Sequence, residues 1–277
     1  MSDILARLGD SLIQHGKHND RVYLMKLSPG DYPAILSGIE ELVAEHRYTK
    51  VFAKVPESCA EEFLRHGYQI EAQVPDFYWG KIRALFLAKY YSESRKAFPE
   101  QELQNVRELV RTTAARREVP EPGPFRVAPM AEPDAAAMAE LYRRVFPSYP
   151  FPIDRPEYLR ETMAGETFYF GIRDCGRLIA LSSAETDREY LNAEMTDFAV
   201  LPEYRGSGLA GLLLRQMEEA AQRLGIKTAY TIARLKSAGM NVTFLKSGYS
   251  YTGTLINNTQ IAGGFESMNV LYKKLAE

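Results

Sequence analysis

Residues 200–210 read Val-Leu-Pro-Glu-Tyr-Arg-Gly-Ser-Gly-Leu-Ala and carry the sharpest chemical signal in the 277-residue chain. Gly206 and Gly208 let the backbone turn tightly and bring its N–H groups close to a ligand. The turn opens a predicted helix over 209–224, whose apolar stripe runs Leu209, Leu212, Leu213, Met217, Ala220, Ala221 and Leu224. A first helical turn has unpaired N–H donors at the positive end of the dipole, an anion site suited to phosphate. Arg205 adds a charge-assisted contact. Neither nucleotide motif fits. The Walker pattern lacks its lysine, and Gly206-x-Gly208-x-x-Gly211 has no acidic residue ending a strand about twenty residues on.

The strand feeding this turn, LNAEMTDFAV over 191–200, holds two carboxylates. Strict alternation sets Glu194, Thr196, Phe198 and Val200 on one face and Met195, Asp197 and Ala199 on the other. A carboxylate within a half-buried strand is costly unless it is paired or functional. Glu194 is therefore the candidate general base, with its pKa raised by burial, and Asp197 the alternative; a salt bridge at a sheet edge stays open for Glu194. The four histidines, His15, His18, His46 and His66, all precede residue 70 and read as surface or packing residues. Cys59 and Cys175 allow at most one disulfide, no base lies near either, and no Cys/His cluster has zinc spacing. No structural metal and no cysteine nucleophile are expected.

The elements that must hold these groups divide the chain in two. Apolar positions Leu103, Val106, Val110 and Thr113/Ala114 predict an amphipathic helix over 92–118, and VPEPGP at 119–124 reads as a linker. The expected organisation is an N-terminal unit over 1–95, a connecting helix and linker over 96–120, and a second unit over 121–277. In the second unit, strands at 125–128, 167–172, 177–185, 190–200, 227–233, 249–256 and 266–273 alternate with helices at 133–146, 154–163, 209–224 and 239–246. This is an α/β (α+β) pattern, a mixed and mostly antiparallel sheet with helices on both faces. Phe63-Leu-Arg-His-Gly-Tyr68 echoes Phe244-Leu-Lys-Ser-Gly-Tyr249, each between strand-like segments, which predicts a duplicated block. The N-terminal copy has no glycine turn and is expected to be a half-domain kept for packing or for a wall of the site. Thirty-four Lys+Arg against thirty-six Asp+Glu argue against nucleic acid or an anionic membrane as main partner. The start lacks an apolar leader and no run reaches a membrane span, so a cytoplasmic protein is expected.

Arg205-x-x-Gly208-x-Ala210, between strand and amphipathic helix, resembles the acyl-CoA signature of the GCN5-related N-acetyltransferases (GNAT). The segments 193–214, 239–259, 266–270 and 63–80 are similar to the subfamily of beta-lysine N-acetyltransferases, nearly over the whole chain. The resemblance implies a GNAT fold over 121–277 preceded by a partial GNAT-like half-domain. It implies acetyl-CoA as acetyl donor, held by Phe198, Ala199, Val200, Arg205, Gly206, Ser207, Gly208, Leu209 and Ala210, with the pantetheine between splayed strands. Asn241 caps its helix or touches the pantetheine. Backbone amides of 198–200 are implied as an oxyanion site. Relatives carry a catalytic glutamate near the start of the strand holding Glu194. The general acid of many relatives is a tyrosine four residues before the glycine; here that position is Phe244, which has no proton to give. Tyr249 is the replacement candidate, with Tyr251, water or unaided departure of the thiolate beside it.

The implied reaction acetylates the terminal amine of a small diamino acid, (3S)-3,6-diaminohexanoate (beta-lysine), to N6-acetyl-beta-lysine, a compatible solute. A protein or polyamine acceptor, and a non-catalytic CoA-binding module, are the rival readings. Glu194, Asp197, Asn257, Asn258 and Glu266 are candidates for the amines, and Arg234 or Lys236 for the carboxylate. Phe77-Tyr-Trp-Gly80 reads as an interface core patch that can reach the acceptor, and Tyr142–Pro147 as a pocket wall.

Overall fold

The computed structural model describes residues 3–113, 124–261 and 263–275. The first sheet holds β1 (Ile4–Leu8), β2 (Ser11–Gly16), β3 (Arg21–Lys26), β4 (Lys50–Pro56), β5 (Gln69–Tyr78) and β6 (Ile82–Tyr90), ordered β1-β2-β3-β4-β6-β5. Helix α1 (Ile35–His46) joins β3 to β4, and α2 (Ala60–Arg65) joins β4 to β5. Helices α3 (Glu93–Lys96) and α4 (Glu100–Thr113) follow. The chain continues through β7 (Val127–Pro129), α5 (Ala135–Val145), α6 (Pro156–Ala164), β8 (Thr167–Asp174), β9 (Arg177–Asp187) and β10 (Asn192–Val200). It ends with α7 (Leu209–Arg223), β11 (Thr228–Arg234), α8 (Ala238–Lys246), β12 (Ser250–Ile261) and β13 (Gly264–Lys274). The second sheet runs β7-β8-β9-β10-β11-β13-β12. The single helix expected over 92–118 is broken at Pro99, which lacks an N–H and turns Phe98 away from helical geometry. The expected linker, apart from Pro124, lies outside the described residues.

Both sheets repeat one connectivity. An antiparallel meander (β1-β2-β3; β8-β9-β10) crosses by a helix to a parallel neighbour (β4; β11), and a hairpin then places its last strand beside that neighbour. The two hexapeptides adopt one turn: Tyr68 N donates to the Phe63 carbonyl and Tyr249 N to that of Phe244, each at 3.1 Å. Gly67 and Gly248 have φ of 84° and 90°, a region glycine enters freely. The aromatic pairs stack edge-on with centroids 5.1 and 5.0 Å apart. The repeat thus begins earlier than the echo shows, because the meander strands share topology without sharing residues.

Strand alternation tells why the halves meet. On β4, Val51, Ala53 and Val55 face α1 in one core, while Phe52 and Lys54 point the other way. Tyr23, Phe52, Val74, Phe77 and Phe86 pack directly on Tyr230, Leu255, Met268 and Val270 of the second sheet. Burying each such side chain contributes about 1.5–3 kcal/mol, so this shared core holds the sheets together. Lys50 Nζ adds hydrogen bonds to Glu71 Oε2 (2.9 Å) and, across the halves, to the Ile256 carbonyl (2.6 Å). Helix α7 covers one face of the second sheet, where Ser182 Oγ touches Met217, while Ser183 Oγ on the opposite face donates to Asp197.

Gly253 marks the closest approach. A Cβ there would stand 2.1 Å from the Glu71 carbonyl oxygen and 2.7 Å from Ala72 Cα, both backbone atoms of β5. Gly253→Ala is expected to destabilise the protein by about 1–3 kcal/mol or more, the cost of overpacking where nothing flexible can yield. Urea unfolding checks this; a midpoint equal to that of the native sequence contradicts it.

Candidate active site

Strands β10 and β11 pair in parallel only from Asn192 to Glu194, opposite Thr228–Tyr230, and then part. The gap opens into a cleft of about 930 Å³. Phe198, Val200, Arg205, Gly206, Gly208, Leu209 and Ala210 line one wall, and Arg234, Lys236 and residues of α8 the other. Gly206 (φ 84°) and Gly208 (φ 80°) supply the left-handed turn, and Gly208 caps α7. The first bond of α7 runs from Leu212 N to the Gly208 carbonyl at 3.2 Å, which leaves the amides of 209–211 as open donors. Their dipole end faces the cleft, a site for an anion.

A second cavity of about 320 Å³ lies between the two halves. Here strict alternation on β10 fails. The β9–β10 register slips between Thr196 and Ala199, and Asp197 has φ 55°. This bulge inserts one residue and re-aims its neighbours. Asp197 consequently joins Glu194 and Thr196 on the cavity wall, and Phe198 and Val200 turn to the cleft. The assignment of Glu194 and Asp197 to opposite faces is corrected accordingly. Glu185, directly opposite Glu194 in the β9 register, is a third carboxylate in the same cavity.

Polar neighbours bind this cluster into a network. Lys54 Nζ donates to the Tyr230 hydroxyl at 3.1 Å, and Tyr230 in turn donates to Glu194. Asp197 accepts from Tyr149 and, at 2.7 Å, from Ser183 Oγ. Burial first, then the neighbouring charges of Glu194 and Asp197, push Glu185 well above the usual carboxylate range. Glu194 is raised by burial despite Lys54 and Tyr230 pulling it down. Asp197 is raised by burial too, against its hydrogen bonds from Tyr149, Ser183 and Thr196. Burial lowers Lys54, but Tyr23 and the carboxylates Glu194, Asp187 and Glu185 outweigh it and hold the ammonium charged. Carboxylates with raised pKa facing an open cavity can bind ammonium groups and accept a proton.

The family model described as the acetyltransferase (GNAT) family matches residues 135–241. A beta-lysine N(6)-acetyltransferase of Methanococcus maripaludis is 40% identical over 270 residues, covering 97% of this chain and 98% of its own. This chain belongs to the GNAT acetyltransferases. N-acetyltransferase YodP of Bacillus subtilis is 32% identical over 96% of both chains. A beta-lysine N(6)-acetyltransferase of Methanosarcina mazei is 29% identical over 89% of this chain and 98% of its own.

Within this GNAT fold several expected site residues stand elsewhere. Tyr249 is buried in the core, its hydroxyl facing Glu218, and it lines neither cavity. Packing against Phe244, at 5.0 Å, sets it there, and burial drives its pKa far up, so it is withdrawn as general acid. Asn241 is locked by its own bonds: Nδ2 donates to the Arg234 and Ser237 carbonyls, both at 2.9 Å, and Oδ1 accepts from Asn269 at 2.9 Å. It shapes the β11–α8 turn and leaves the cleft to Met240, Val242 and Thr243. Ala199 is fully buried, and Ser207 Oγ turns to the Tyr204 carbonyl at 2.5 Å; neither side chain lines the cleft. Arg234 and Glu266 pair with each other at 2.7 and 2.8 Å, and Asn257 Nδ2 is spent on the Arg95 and Ala97 carbonyls. Asn258 does reach the second cavity, as do Phe77 and Tyr78.

Glu185 carries a measurable consequence. Glu185 is exposed by surface area, yet it lines the cavity and protein surrounds its carboxyl, which weakens the effect of solvent on its charge. Between the unfolded value, about 4.3, and the raised folded one, the native state binds more protons, so stability falls as pH rises. Glu185→Gln removes that term. The variant is expected to melt above the native sequence at pH 8, with the gap narrowing toward pH 5. A gap that widens toward pH 5 contradicts the assignment.

Proposed function

We propose that the protein transfers acetyl from acetyl-CoA to the terminal amine of beta-lysine, giving N6-acetyl-beta-lysine. The observation that carries this reading is the convergence of Glu185, Glu194 and Asp197 in a small cavity beside the splayed strands. A diammonium compound suits three converging carboxylates, and 320 Å³ is at the small end of ligand pockets. The full-length likeness to beta-lysine N(6)-acetyltransferases supports the particular acceptor.

The cleft fits acetyl-CoA on its own features: room for a large ligand, two glycines whose missing side chains leave open space, and the α7 amides. Arg205, Gly206, Gly208, Leu209 and Ala210 would hold the pyrophosphate, and Phe198 and Val200 would flank the pantetheine. Acetyl-CoA supplies the acetyl group. Glu194 takes the proton of the incoming ammonium, and Lys54 through Tyr230 keeps its charge in check. As the new N–C bond forms the C–S bond breaks, the thiolate leaves into the open cleft, and the second proton shed by the acetylated nitrogen passes to the departing sulfur. Asp197, fixed by Tyr149 and Ser183, orients the amine, and the N-terminal GNAT-like half over 1–95 walls the acceptor from water. A steady-state acetyl-CoA assay across beta-lysine, lysine, ornithine and spermidine tests the reading: beta-lysine should have the highest kcat/KM, and a preference for spermidine would refute it.

A further inference from the structure

Three cations line the small cavity: Arg21, Lys26 and Lys54. Two have carboxylates close at hand. Lys26 Nζ pairs with Glu189 at 2.8 Å and Asp187 at 3.3 Å, and Lys54 faces Glu194, Asp187 and Glu185. Arg21 has no ion pair among the described residues, though it is only 4% exposed. Its Nη1 donates to the Asn258 carbonyl and, at 3.4 Å, to Thr259 Oγ1. Its Nε is buried with no partner among the described residues, and no bond from Nη2 is found among them. Asp3, the nearest acid to bear on it, is occupied by the His18 and Asn19 amides and Asn19 Nδ2.

The contrast with Arg95 is instructive. That guanidinium is equally buried, but Nε, Nη1 and Nη2 all have protein acceptors. Burial pulls both guanidiniums down to about 10, so what sets Arg21 apart is its unmade hydrogen bonds, which a bound anion would complete. Beside Arg21, the side chain of Asn258 is 2% exposed, lines the same cavity, and its Oδ1 has no partner among the described residues. Nε and Nη2 form the side edge of a guanidinium, the edge that takes a carboxylate with two parallel bonds.

We infer that the seam between the two halves reads the head group of the substrate: the Nε–Nη2 edge of Arg21, from the N-terminal half, takes its carboxylate, and the Asn258 amide, from β12, takes the amino group beside it. The distal ammonium then reaches Glu194 and Asp197. The inference rests on the acceptor assignment proposed above and deepens it. It makes Arg21 the residue that separates a diamino acid from a plain diamine, and it gives the N-terminal copy a function in place of the lost glycine turn.

The test compares beta-lysine with its carboxamide, which keeps both amines and loses the negative charge. The native protein should favour the acid by at least about 30-fold in kcat/KM, the loss typical of a truncated buried charge pair. Arg21→Met should bring that ratio close to one, through KM of the acid, and Arg21→Lys should leave it in between because the fork is gone. Equal use of acid and amide by the native protein overturns the inference and spares the acetyltransferase reading. A proportional loss of both substrates in Arg21→Met also overturns it, since a merely structural arginine would act that way. Failure to acetylate either compound sinks the acceptor assignment itself. Should Arg21→Met not fold, the native ratio and Arg21→Lys decide.

Discussion

Glu194→Gln is expected to lower kcat by about 10²- to 10⁴-fold, the usual contribution of a general base, with acetyl-CoA affinity retained. The carboxylate lines the small cavity at the point where β10 and β11 separate. A base works only when ionised. Because burial raises Glu194, the acid limb of kcat/KM should lie above the ordinary carboxylate range, with activity lost as pH falls through it. In the glutamine variant that limb should vanish, and the residual rate should climb with pH as free amine accumulates. Asp197→Asn shares the cavity but accepts from Tyr149 and Ser183, so its loss should fall mainly on KM. Near-normal kcat/KM for Glu194→Gln from pH 6 to 9, with collapse of Asp197→Asn, would reverse the two roles.

Gly208→Val should weaken acetyl-CoA binding more than tenfold, about 1.4 kcal/mol or more. Gly208 caps α7 at φ 80°, where a β-branched residue is an outlier, so valine must pull the turn toward negative φ. That rotation moves the open amides of 209–211 off the anion they would bind. No neighbouring atom crowds a Cβ there, so the fold itself should survive. Calorimetric titration of the folded variant checks this, and an unchanged affinity would remove the glycine turn from the cofactor site.

What could be read in the sequence was what is local. The α7 stripe, the Gly206–Gly208 turn and the polar Glu194 in an apolar strand each depend on residues within one element. The hexapeptide echo revealed the duplication for the same reason: Phe63 and Tyr68, like Phe244 and Tyr249, touch inside a single turn. Asp197 was misassigned because one positive φ breaks a period of two, and nothing in TDFAV announces it. Glu185 entered only through the β9–β10 register, and Lys54 and Arg21 through the packing of one sheet on the other. The polar Lys54 on the Phe52 face of β4 was a visible signal, but its partner lay in another half of the chain. Tyr249 misled in the opposite way, being adjacent to the glycine in sequence yet turned into the core.

The proposed small acidic acceptor site, served by an acetyl donor in the cleft, is open to direct measurement. Its most direct test is to incubate the protein with acetyl-CoA and beta-lysine and locate the acetyl group by NMR. Turnover is expected with acetyl on N6 alone, slowed about 10²- to 10⁴-fold in Glu194→Gln. Acetylation at N3, or no transfer to beta-lysine alongside efficient acetylation of a peptide, would contradict it.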